Sequence, residues 1–172
     1  MIFSYYKNLS ASQKRIYSRS DKIISVPLPD AGELQPFIPL LSSALTGEDR
    51  ERAENICCRI AQGAAKQLST PSLRVKVLAV RPSASWGELH GLYEPAEGKA
   101  SAVITLWMRT AKHRRIVAFK SFLRTLLQEL CHHLDYEMYN LDDSFHTEGF
   151  YKRESSLFHQ LTAEKRLPAD TE

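Results

Sequence analysis

The sequence predicts an α+β domain, and three observations carry that reading. Two long runs, 48–68 and 117–139, repeat apolar residues at three- and four-residue steps. Between them lies a block whose segments 73–80, 87–93 and 102–108 have the composition or alternation of strands. Helices therefore come before and after the strands instead of alternating with them. With 172 residues, 43% of them apolar and 25% charged, the chain has the size of one domain. Its core needs neither disulfide nor structural metal. No repeat, low-complexity tract or long linker divides it. Residues 1–172 thus read as one domain, with a helical N-terminal part over 1–70 and a core over 73–161.

In chain order, Tyr6, Leu9, Gln13, Ile16 and Tyr17 stand at mixed helical spacing and predict a short helix or arm over 5–21. Pro27, Pro29, Pro36 and Pro39 predict an extended connection. Ala53, Ile56, Cys57, Ile60, Ala64 and Leu68 make one apolar stripe on the helix expected at 48–68, and Thr70-Pro71 closes it. The strand at 73–80 alternates through Leu73, Val75, Val77 and Ala79, with Leu78 and Val80 on the other face. The run 102–108 is the most β-rich in the chain. Pro95 and Gly98 turn the chain back between 87–93 and 102–108, predicting an antiparallel hairpin with Trp86 and Trp107 as its core aromatics. Phe119, Phe122, Leu123, Leu126, Leu127, Leu130 and Leu134 then mark a helix over 117–139 without Gly or Pro. A polar loop at 140–144 and a helix at 150–161 follow. The expected sheet is small, antiparallel or mixed, and packs on the 117–139 helix.

Several classes are excluded. No stretch approaches the roughly 18 apolar residues of a membrane span, and no leader-like segment opens the chain, so a cytoplasmic protein with no membrane partner is expected. Cys57, Cys58 and Cys131 form no CxxC pair, which points to a reducing compartment and leaves any metal site to His and carboxylates. Net charge is only +3, but its distribution is uneven. Six Lys or Arg and no acid fall between Arg109 and Arg124, whereas seven acids fall between Glu129 and Glu154.

The chemistry is concentrated in Gln128-Glu129-Leu130-Cys131-His132, the HExxH pattern with Gln in place of the first His. Residues i and i+4 of a helix are offset by about 40° of rotation, so donors there grip one Zn²⁺ while the intervening Glu faces the attacking water as general base. A further ligand must come from elsewhere in the chain. Fourteen residues beyond His132 lies His146, in Phe145-His146-Thr147-Glu148-Gly149-Phe150.

This stretch resembles the SprT-like zinc metallopeptidases of the zincin class, whose pattern is HExxH, a spacer of similar length, and a His followed four residues later by Phe. His146 and Phe150 keep that last spacing. A hairpin ahead of a long motif helix is also similar to a zincin catalytic domain, and the resemblance covers roughly 73–161. It implies a zinc-dependent peptidase acting on peptide or protein substrates, with Glu129 as the base and His132, His146 and, weakly or not at all, Gln128 as metal ligands. The chain departs from the family at Gln128, whose amide oxygen is a neutral and rare zinc donor, and in lacking a cysteine-based zinc ribbon. The substrate is expected to align by strand addition on 102–108, taken as an edge strand.

Other residues have two readings each. His133 is either an accessory metal ligand or a partly buried helix residue. Asp135 either orients a ligand His or is a solvated carboxylate. Glu148 and Glu154 are substitute ligands or surface groups, and Tyr151 is an oxyanion donor or a packing residue. Cys131 reads as a small buried residue of the helix. Arg109, Lys112, Arg114 and Arg115 are either a solvated helix start or a non-specific contact for DNA phosphates, the latter in keeping with the association of SprT-like proteins with DNA-bound substrates. Against the peptidase stand two further readings: a degenerate zincin serving as a protein- or DNA-binding module, and an unrelated α+β domain in which Glu129 and His132 are accidental neighbours.

Overall fold

Short polar side chains start three of the helices. Ser10 accepts the backbone N–H of Gln13, whose own side chain returns the bond, opening α1 (Ala11–Asp21). Asp49 accepts the N–H of Arg52 and opens α3 (Arg50–Gln67). Thr147 accepts the N–H of Phe150 and opens α5 (Glu148–Thr162). The computed structural model, which describes residues 3–85 and 87–163, adds α2 (Phe37–Thr46) and α4 (Phe119–Glu137) to give an α+β architecture with five helices around a small mixed sheet. The expected aromatic at Trp86 lies outside the described residues.

α2 corrects the extended connection expected from the prolines. Pro36 is its N-cap and Pro39 falls in its first turn, where backbone N–H groups have no partner within the helix. A 3-10 turn at Ala31–Glu33 precedes α2, whose Ile38, Leu41, Ala44 and Leu45 enter the core.

The sheet contains β1 (Arg74–Val80), β4 (Gly91–Glu94) and β5 (Val103–Arg109) in the order β1-β5-β4. β1 is parallel to β5, and β4 is antiparallel to it. A separate ribbon pairs β2 (Ser83–Ala84) with β3 (Gly87–Glu88). The segment expected as one strand at 87–93 is therefore two, of which only 91–94 joins β5. The expectation of an edge strand at 102–108 is also corrected. β5 is the central strand, buried from Val103 to Met108 because α4 and the other helices cover it, and its continuous apolar run reflects that position.

The two sheet edges differ. Along β1 as far as Val77, side chains four residues apart on α3 bond outward backbone groups. Arg50 Nη1 donates to Val77 O at 2.9 Å, Glu54 Oε2 accepts from Val77 N at 2.8 Å, Cys58 Sγ donates to Val75 O at 3.3 Å and Gln62 Nε2 donates to Leu73 O at 3.1 Å. This edge is closed to a further strand. β4 forms the other edge and lies beside α4. Leu123, Leu126, Leu127, Leu130 and Leu134 of α4 are buried in the core beneath it. Among the described residues no helix is long and apolar enough to cross a membrane.

Candidate functional site

The N-terminal end of β4 crosses α4 at very close range. A Cβ on Gly91 would overlap Glu129 Oε1 and come within 2.7 Å of Thr125 Cγ2, so any larger residue would force these side chains to move. One turn along α4 from Glu129 is His132, and the loop before α5 carries His146 back to it. Glu129, His132 and His146 line one cavity of about 320 Å³ with Gly91, Leu92, Tyr93, Pro95, Tyr136 and Ser144. The helix spacing that joins Glu129 to His132 was visible in the sequence. Their meeting with His146 depends on the turn between α4 and α5.

His132 Nε2 and His146 Nε2 are 2.9 Å apart. Phe150 is fully buried and sits with its ring centroid 4.8 Å from each imidazole, packing against both. The loop is also held from outside. Tyr5 donates its hydroxyl to His146 O at 2.9 Å, while the Tyr5 and Tyr17 rings stack around Phe145. Gly149 lets α5 start directly against the end of α1. Its N–H donates to Asp21 Oδ1 at 2.9 Å, and any Cβ there would strike the Asp21 backbone.

Loss of hydration sets the protonation of Glu129, which is buried, and of His132, which is partly buried. Desolvation pushes the Glu129 carboxyl up to about 7, opposed by the Tyr93 backbone N–H that it accepts. Desolvation, then the neighbouring His146 and Arg153, pushes His132 down to about 3. His146 is lowered as well, by desolvation. At neutral pH the two imidazoles are therefore uncharged and Glu129 is poised between its forms.

His132 Nδ1 lies 2.7 Å from Ser144 Oγ, which donates at 2.7 Å to Asp135 Oδ2. Asp135 is completely buried and accepts at its other oxygen from Arg153 Nη2, also completely buried, at 2.7 Å. Of its two readings, the solvated carboxylate is excluded. His133 is buried too, bridging the Tyr93 hydroxyl at Nδ1 (3.1 Å) and Pro71 O at Nε2 (2.9 Å), so both of its nitrogens are committed to partners within the protein. Glu154 pairs with Arg124 at 2.8 Å and Glu148 with Lys152 at 2.7 Å. Tyr151 is exposed, with its ring 5.6 Å from that of His146. Cys131 is buried and desolvation raises its thiol, the setting of an unreactive core cysteine.

The two ring nitrogens stand at a hydrogen-bond separation of 2.9 Å, and they would have to part to about 3.3 Å to occupy two positions of a tetrahedral zinc site with bonds of about 2.0–2.1 Å. Gln128 is half-buried and outside the set of residues that line the cavity. Among the described residues no group of three or more His, Cys, Asp or Glu is disposed to hold a metal ion.

No sequence motif marks Gly91, Tyr93, Ser144 or Arg153. Arg153 did leave a signal, a charged residue on the stripe formed by Phe150, Leu157, Phe158 and Leu161. The basic stretch is divided. Arg109 pairs with Glu48, whereas Lys112, Arg114 and Arg115 are exposed on the turn that follows β5. Comparison of the chain with models of known protein families, with characterised proteins and with solved structures finds no match.

Proposed function

We propose that the cavity is the hydrolytic centre of a zincin-type metallopeptidase with a weakened metal site. The observation that carries this reading is the convergence of His132 Nε2 and His146 Nε2, 2.9 Å apart, in the cavity that also holds Glu129. His132 and His146 are the protein donors for Zn²⁺, and Gln128, one helical turn before His132, is the remaining candidate. When bound, the metal supplies Lewis acidity toward water and the scissile carbonyl. Glu129 takes the proton from the attacking water and returns it to the leaving amine. A carboxyl held near neutrality by burial suits both transfers. Because α3 closes the β1 edge, an extended peptide would add to β4, where Leu92 and Tyr93 meet the cavity.

The test is cleavage of an unstructured protein such as casein in the presence of Zn²⁺. Hydrolysis by the chain, raised by Gln128→His and abolished by Glu129→Gln, supports the reading. Inactivity of both the parent and Gln128→His contradicts it.

A second reading is favoured by Gln128 itself together with Lys112, Arg114 and Arg115 exposed on one turn. Here the zincin fold has lost catalysis and binds protein or DNA, the latter through phosphate contacts and without reading bases. A folded, metal-free protein whose DNA affinity falls steeply with salt and is lost on reversing Arg114 and Arg115 would favour it.

A further inference from the structure

His132 is the inner end of a buried chain of hydrogen bonds, and proton counting along that chain fixes where its own proton lies. Arg153 donates Nη1 to both Ser20 O and Ile23 O at 2.7 Å, and Nη2 to Ser20 Oγ at 3.0 Å. These acceptors lie at and just past the C-terminal end of α1. The same guanidinium donates to Asp135 Oδ1 at 2.7 Å. Asp135, paired with a buried cation, acts as an acceptor at both oxygens and takes the hydroxyl proton of Ser144 on Oδ2. Ser144 has no second proton. At 2.7 Å from His132 Nδ1 its oxygen can only accept, so Nδ1 carries the hydrogen. An uncharged imidazole has one N–H, which leaves a lone pair on His132 Nε2 to accept the Nε2–H of His146 2.9 Å away.

We infer that Ser144, oriented by Asp135 and Arg153, is a positioning residue that locks His132 in the Nδ1–H tautomer and so presents Nε2 to the cavity as a ligand. The end of α1 belongs to this device, because its carbonyls hold Arg153, and this gives the N-terminal segment a role at the site. The use of the bare Nε2 rests on the proposed metal reading. The tautomer is a property of the metal-free chain, so the two can fail separately.

The experiment is a long-range ¹H–¹⁵N correlation spectrum of the imidazoles in metal-free protein near neutral pH, with His132→Asn assigning the signals. The expected spectrum has His132 protonated at Nδ1 and bare at Nε2. Ser144 is a half-buried loop residue, so Ser144→Ala is expected to fold, and it should shift His132 toward the Nε2–H form that predominates in water. Ser144→Thr, which keeps the hydroxyl, should retain the parent pattern. Nε2 protonation in the parent, or an unchanged Nδ1–H pattern in Ser144→Ala, overturns the inference. In parallel, competition with a chromogenic chelator should show Zn²⁺ affinity about 10–100-fold weaker in Ser144→Ala, restored in Ser144→Thr. A tautomer shift in a chain that binds no Zn²⁺ upholds the lock and overturns the metal reading.

Discussion

Gly91 on the edge strand stands so close to Glu129 on the motif helix that a single added Cβ would occupy the space of Oε1. The position of the Glu129 carboxyl is therefore constrained by a residue with no chemistry of its own. Gly91→Ala is expected to displace Glu129 or lift β4 off α4, costing about 1–3 kcal/mol of stability and more than tenfold in hydrolysis. Urea unfolding and peptidase assays on the same preparation check both. An unchanged rate would show that the close crossing is not needed for the base.

Glu129 should give metal-free protein a distinctive pH dependence. Its carboxyl is raised by desolvation to about 7 in the fold, so between about pH 4.5 and 7 the native state binds more protons than the unfolded chain. Stability then falls as pH rises through that window. Glu129→Gln removes the effect. It should be more stable than the parent by about 1–3 kcal/mol above pH 7, and equal to it below about pH 4. Denaturant titrations in chelator at several pH values measure the difference, and parallel curves for the two proteins would contradict the burial argument.

Tyr5 ties the N-terminal segment to the His146 carbonyl through one hydroxyl. Tyr5→Phe keeps the ring stack on Phe145 and removes only that bond. It should cost about 0.5–1.5 kcal/mol at most, yet weaken Zn²⁺ binding several-fold by loosening the loop. Calorimetric titration reads the affinity, and equal affinity would mean that Phe150 alone holds His146 in place.

The closed edge of β1 is open to a direct test. Glu54 Oε2 accepts the N–H of Val77 at 2.8 Å, and Glu54→Ala would leave that donor without its partner at the strand edge. A loss of about 1–2 kcal/mol and concentration-dependent self-association in sedimentation runs are expected. A monomer of unchanged stability would show that α3 shields the edge by bulk alone.

What was legible in the sequence was periodicity. The apolar stripes of α3 and α4 and the alternation of β1 depend on neighbours within a few residues, and the structure places these elements within two residues of the expected bounds. α2 was not legible, since Pro36 and Pro39 break a helix only when they lie past its first turn. The run 102–108 could be read as a strand but not as a central one, because burial on both faces is a property of the assembled sheet. At the site, the Glu129 and His132 spacing is a helical repeat and was visible. Ser144 and Arg153 act through partners at sequence separations of 9 and more, where no local pattern records them.

The central claim is that His132 and His146 hold a metal ion beside Glu129. Its most direct test is zinc content by elemental analysis, after loading with Zn²⁺ and desalting, of the chain, of Gln128→His and of Gln128→His carrying His146→Ala. Near-stoichiometric zinc is expected in Gln128→His, a smaller amount in the parent, where a neutral amide is the only further donor that α4 offers at that position, and loss when His146 is removed. Gln128→His that folds and retains no zinc would contradict it.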